Sequence, residues 1–345
     1  MEQKNKKSGR IAKLLRYVIP LIISVGLCYV LFTGIDFDRM MEVIRYQCDF
    51  RWITLVLFIA VLSHFFRAFR WGLQLRALGI DAPGYALVYS IFGTYAVNLV
   101  FPRLGEVWRT GYIAQRQDAP FSTVFGSMVA DRLADTLSVL FLAFVAFVLA
   151  RPTIVGFLRD NGESYMALAN MLESPFIWGS FLLLAAVVWF LLAHKTTNRT
   201  LLAFQKFMKE LWQGFAVIFR MPGKGQWLLL TVGIWGCYFL QMYVAFHAFP
   251  FTADVLTHYG ALPALVTFVL ASISMGVPSN GGIGPWQWAV MFALGIYGVD
   301  HTEAGAFANL VLGMNTLLII SLGIFTFIAI MLDRKKLAKK SNSNT

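Results

Sequence analysis

The chain has 345 residues, of which 58% are hydrophobic and only 14% are charged. That is more apolar side chain than a soluble domain of this size can bury, which excludes a soluble enzyme or regulator and makes a bilayer the solvent. The formal charge of +11 suits the anionic lipid surface at membrane edges, since no soluble domain organises it for nucleic acid.

A helix needs about 20 apolar residues to cross the hydrocarbon. In chain order, six stretches qualify as full spans: 15–33, 52–66 with an extension to about Leu78, 122–150, 174–193, 226–249 and 303–332. The first follows a basic run but meets no small-residue cleavage site before Asp36, so it reads as an uncleaved anchor. Three further stretches, 84–101, 259–277 and 283–298, are shorter or broken by polar motifs. Cys28, Cys48 and Cys237 are odd in number and far apart, implying neither a disulfide framework nor a metal site.

Basic loops stay cytoplasmic. The N-terminal tail holds six Lys/Arg against one acid, residues 194–225 six against one, and the tail after Leu332 five against one. These segments are expected inside, and 34–51, 151–173 and 250–258 outside. The expected organisation is a cytoplasmic tail at 1–16, one transmembrane domain at 17–332 and a second basic tail at 333–345, in a bacterial-type inner membrane. Counting crossings makes 84–121 a re-entrant segment entered from the cytoplasm. The stretch 259–298 is a second re-entrant segment entered from outside, or two full crossings that would raise the span count to eight.

The halves resemble each other. Residues 98–105 (NLVFPRLG) parallel 274–281 (SMGVPSNG) at an offset of 176, with Trp108 and Trp286 following, and Asp135-Thr-Leu parallels Asn315-Thr-Leu at an offset of 180. Repeats at 17–150 and 174–332, inverted with respect to each other, give a transporter architecture in which two halves rock about a central site. The fold class is therefore an all-α polytopic membrane protein with an inverted repeat.

The interrupted segments carry the chemistry. Pro102 and Gly105 break a helix beside Arg103, Glu106 and Arg109, and such backbone survives at membrane depth only against protein or a wet cavity. The loop from Pro278 through Asn280, Gly281, Gly282 and Gly284 offers backbone amides to an anion. Asp131 and Asp135 lie four apart on one helix face with Arg132 beside them. Ionisable groups inside a span cost about 2.5 kcal/mol or more each, so they face a polar interior. They serve transport, or a structural pair of Asp131 or Asp135 with Arg103 or Arg109, or both. Arg67 and Arg70 either contact lipid phosphate or snorkel to the inner interface. The five histidines show no metal-ligand spacing.

The motifs Asn98...Pro102-Arg103-x-Gly105-Glu106...Arg109, Gly126-Ser127...Asp131-Arg132-x-x-Asp135 and Pro278...Gly281-Gly282-x-Gly284 resemble the flippase-like membrane family related to the transmembrane region of lysylphosphatidylglycerol synthases. The likeness covers roughly residues 10 to 332 and implies movement of lipids with charged or glycosylated head groups between leaflets. The bifunctional synthases add a soluble domain that transfers an aminoacyl group from transfer RNA. This chain stops 13 residues after its last span, so that activity is expected to be absent.

The expected substrate-binding residues are Asn98, Arg103, Glu106, Arg109, Asp131, Arg132, Asp135, Asn280, Gly281, Gly282 and Gly284. Arg103 and Arg109 would hold phosphate, the glycines would allow close backbone approach, and Glu106, Asp131 and Asp135 would meet an amino group. Replacing Asp131 or Arg103 by Ala is expected to abolish transport in folded protein. The expected partners are membrane lipids and a second copy of the chain, with no cofactor, metal or nucleic acid. No P-loop pattern surrounds Pro222-Gly-Lys-Gly225. The rival readings are a membrane-embedded transferase on a lipid-linked substrate and a non-catalytic partner of a lipid synthase.

Overall fold

A computed structural model describes residues 36–160, 221–277 and 279–342, with side chains as far as Asp333, and isolated positions between 161 and 220. The expected spans at 15–33 and 174–193, the N-terminal tail, most of the loop at 194–225, and Pro278 lie outside the described residues.

Asp36 accepts a hydrogen bond from the Arg39 N–H at 3.0 Å and opens α1, Phe37–Gln47. Asp49 repeats the device on the Arg51 N–H, also at 3.0 Å, and opens α2, Phe50–Ala77. The chain continues through α3 (Gly84–Val100), α4 (Leu104–Arg116), α5 (Phe121–Asp160), α6 (Lys224–Phe246) and α7 (Pro250–Tyr259). It ends with α8 (Leu262–Ser274), α9 (Pro285–Ile296) and α10 (His301–Asn342). No strand occurs among the described residues, so the protein is an all-α polytopic membrane protein. Of these helices α2, α5, α6 and α10 are long and apolar enough to cross a membrane, at the four of the six predicted spans that the described residues include.

Two segments read as loops are helical. α1 is amphipathic and buries Met40 and Val43, while α7 starts on Pro250, whose missing N–H costs nothing in a first turn. A bend of 113° separates α7 from α8.

The interrupted stretches form two hairpins, α3–α4 and α8–α9. At about 1.5 Å per residue, α4, α8 and α9, with 13, 13 and 12 residues, are each about 18–20 Å long, well short of the ~30 Å of hydrocarbon. Arm length favours re-entry for α3–α4, whereas α7 and α8 together are long and apolar enough for one broken span or a re-entrant loop.

The packing has a two-fold pattern. The spans α2 and α6 form the largest contact, where Phe66 lies on Gly233. The hairpin α3–α4 packs on α2 and α5, and α8–α9 packs on α6 and α10. Each hairpin also receives the last span of the other half: α10 lies on α3, with Gly323 against Ala96, and α5 lies on α8. Small residues at these crossings let backbones approach closely. A large apolar core around Phe246, Phe249 and Phe307 fills the α6–α10 half, and a second around Trp71, Ile91 and Ile113 lies under α3–α4.

The junction between α1 and α2 is tied to the second half by the Asp49 N–H donating to the Ala248 carbonyl at 2.8 Å. Burial there, and then the neighbouring charge of Asp49, push the Cys48 thiol up to about 11 from 9.0. Only the thiolate reacts with maleimide. At pH 8, Cys48 as the sole cysteine is expected to label about 100-fold more slowly than a free thiol of pKa 9.0. A rate equal to that of the free thiol would mean that the junction is open.

Candidate functional site

Arg67 lies ten residues and Arg70 seven residues before the end of α2, or about 15 and 10 Å along its axis. Asp131 and Asp135 lie ten and fourteen residues into α5, about 15 and 21 Å. Both pairs lie inside membrane-spanning helices, and they meet. The Arg70 Nη2 donates to Asp131 Oδ1 and to Asp135 Oδ1, each at 2.7 Å, and its Nε to Asp131 Oδ1 at 3.0 Å. Arg67 Nη1 donates to Asp135 Oδ2 at 2.5 Å. From the hairpin, Arg109 Nη2 reaches Asp131 Oδ2 at 3.3 Å.

The side chains of Arg70, Arg109 and Asp131 are at most 1% exposed. Unpaired, such charges would be prohibitively costly; paired and hydrogen-bonded they are tolerated. Aromatic faces cover the guanidiniums: Trp71 under Arg109 at 4.6 Å, Trp227 under Arg70 at 5.5 Å and Tyr238 under Arg67 at 5.9 Å. Tyr238 also accepts from Arg67 Nε and Nη2 at 3.3 and 3.2 Å, and its hydroxyl lies 3.4 Å from that of Tyr95.

A second knot joins the first at the hairpin bend. Arg132 pairs with Glu106. The Asn98 amide donates to both Glu106 oxygens at 3.4 and 3.3 Å, while its carbonyl accepts from the Gly105 N–H at 2.8 Å. Gly105 is required here by close approach, because a Cβ would lie 2.1 Å from the Thr94 carbonyl oxygen. Unlike the buried members, Arg132, eleven residues into α5, has a side chain 41% exposed. A guanidinium exposed on a membrane-spanning helix calls for polar surroundings.

Arg103 stands apart from both knots. It adopts φ 62°, a left-handed conformation that few non-glycine residues hold, and its exposed side chain donates to the Gly276 carbonyl at 2.5 Å. Leu99 touches Gly281 across the same gap, so the bends of the two hairpins meet at Leu99 and Arg103. Gly281, Gly282 and Gly284 have φ of 64°, 88° and 91°, and form the tight loop into α9. There the Gly284 N–H is already taken, at 2.9 Å, by the Gln287 side chain. Asn280 is half-buried in this loop, and its carbonyl accepts from the Ile283 N–H at 3.2 Å.

The structure thus places Arg109, Asp131 and Asp135 in one knot and Asn98, Glu106 and Arg132 in the adjacent one, and puts Arg103 with Asn280, Gly281, Gly282 and Gly284 at the hairpin contact. Of the structural pairs expected, Arg109 with Asp131 is present, whereas Arg103 pairs with neither aspartate. The principal partners are Arg67 and Arg70, which do not snorkel. Their spacing of three on one face of α2, matching the spacing of four in α5, is the signal that identifies them. Among the described residues no group of His, Cys, Asp and Glu is arranged to hold a metal ion.

A family described as "Lysylphosphatidylglycerol synthase TM region" matches residues 17–323. A UPF0104 membrane protein of Methanocaldococcus jannaschii is 23% identical over 186 residues, 53% of this chain and 51% of that protein, so the match spans about half of the relative's length. No solved structure matches the chain.

Proposed function

The chain belongs to the lysylphosphatidylglycerol synthase transmembrane-region family, and from that premise we propose that it carries a phospholipid or lipid-linked head group across the cytoplasmic membrane. The observation that carries this reading is Arg132, a charged side chain 41% exposed within the membrane-spanning helix α5 and continuous through Glu106 and Asn98 with the hairpin bend. A transported lipid keeps its tails in hydrocarbon, so the protein need supply only a polar path for the head group. The meeting hairpin bends stand where that path would open and close. The Ala77 end of α2 and the Phe121 end of α5 face the cytoplasm in this reading.

Reconstitution into liposomes holding anionic, zwitterionic, aminoacylated and glycosylated lipids tests it. Wild-type protein is expected to transfer at least one class between leaflets. Arg103→Ala, which removes an exposed charge with one hydrogen bond to backbone, is expected to reduce transfer about tenfold or more with an unchanged melting temperature. No transfer by folded wild-type protein would overturn the proposal; product formation from a lipid donor would then mark a transferase.

A further inference from the structure

The network is not neutral. Arg67, Arg70, Arg109 and Arg132 face Asp131, Asp135 and Glu106, four positive charges against three negative, which leaves one positive charge in excess. Exposed Arg103 at the hairpin contact adds a second.

Every carboxylate oxygen in the network already accepts a hydrogen bond. Arg70 and Arg109 hold the two of Asp131, Arg70 and Arg67 the two of Asp135, and Arg132 and Asn98 those of Glu106. An incoming ammonium group would therefore have to share carboxylates that guanidiniums already hold. The cations are less well supplied: Arg109 is 1% exposed, holds a single carboxylate contact at 3.3 Å, and its Nε has no hydrogen-bond partner. A buried excess cation with an unused donor is completed by an anion.

Resting on the lipid-transport reading, we infer that the head group taken by this site is an anionic phosphate ester lacking a compensating amino group. A phosphodiester brings the one negative charge the network lacks, and a phosphomonoester would engage Arg103 as well. Lysyl or other aminoacyl head groups bring ammonium groups into a site that already carries an excess positive charge. Arg132, the partly exposed member, is the first of these cations such a phosphate would meet, and Arg109 is the one with an unused donor.

The experiment measures binding to the purified full chain in detergent, separately from transport. The probes are dihexanoyl forms of phosphatidylglycerol, phosphatidic acid, phosphatidylcholine and lysylphosphatidylglycerol. Phosphatidylglycerol or phosphatidic acid is expected to bind about tenfold or more tightly than the other two, and comparing these two anions separates diester from monoester. Arg132→Gln is expected to weaken anion binding about tenfold. Arg103→Gln, at the exposed bend, gives the same readout if the first variant does not fold. Glu106→Gln, which raises the excess charge, is expected to preserve or tighten anion binding. Equal or tighter binding of the zwitterionic or lysyl lipid, or no binding of any probe, overturns the inference. Transfer of only a cationic lipid in liposomes would overturn it while leaving the transport reading intact. Selective anion binding without transfer of any lipid would overturn transport and uphold the anion site.

Discussion

Asp131→Ala is expected to yield protein that does not fold stably, rather than folded protein that is inactive. The carboxylate is fully buried and faces three guanidiniums, from Arg70 at 2.7 Å, Arg109 at 3.3 Å and Arg67 at 3.9 Å. Breaking a buried pair by removing one partner costs about 3–5 kcal/mol, because the remaining charge is left uncompensated. Here Asp135 stays on Arg70 and Arg67, so the stranded cation is chiefly Arg109. Against a total stability of about 5–15 kcal/mol, that loss empties much of the native population. Size-exclusion profiles and thermal melts in detergent should show aggregation or a large fall in melting temperature, whereas Arg103→Ala should melt like wild type. An Asp131→Ala protein as stable as wild type would mean that the aspartate faces a solvated cavity, as the sequence reading supposes.

The second large effect is expected at Gly105. A Cβ there would lie 2.1 Å from the Thr94 carbonyl oxygen and 2.8 Å from Asn98 Oδ1. The first of these is backbone and cannot rotate away, so α3 and α4 must part. Parting them breaks the bond from the Gly105 N–H to Asn98 and frees the amide that orients Glu106. Overpacking of this kind costs about 1–3 kcal/mol, and displacement of Glu106 releases Arg132 as well. Gly105→Ala should therefore lower both the melting temperature and the transfer rate. Gly111→Ala, in the same helix but with no atom within 4 Å of its Cβ, should raise stability by about 0.5–1 kcal/mol through helix propensity alone. Equal melting of the two variants would sink the argument.

The long spans were legible because about 20 apolar residues in a row have few other fates, and α2, α5, α6 and α10 follow the hydropathy closely. The hairpins were legible from the opposite signal, short apolar stretches interrupted at Pro102, Gly105 and the run after Pro278. α1 and α7 escaped because eleven and ten residues of mixed polarity look like loop, and only their caps mark them as helix. The i, i+4 spacing of Asp131 and Asp135 announced a polar face, but spacing within one helix is silent about which distant helix meets it. Even with the span extended to about Leu78, position along one helix leaves open whether Arg67 and Arg70 snorkel or meet lipid phosphate. Only the packing of α2 against α5 shows that they meet Asp131 and Asp135.

All seven charges of the network fall between residues 67 and 135, so the arginines of α2 precede their aspartates by 61 and 68 residues along the chain. A ribosome adding about 5–20 residues per second covers that distance in about 3–14 s. During that interval Arg67 and Arg70 lack the aspartates that neutralise them in the folded protein. The arginines of α2 find their partners only once α5 has been synthesised. The first half then neutralises its own carboxylates before α6 is made, and the second half adds the tyrosine and tryptophan that close over the arginines.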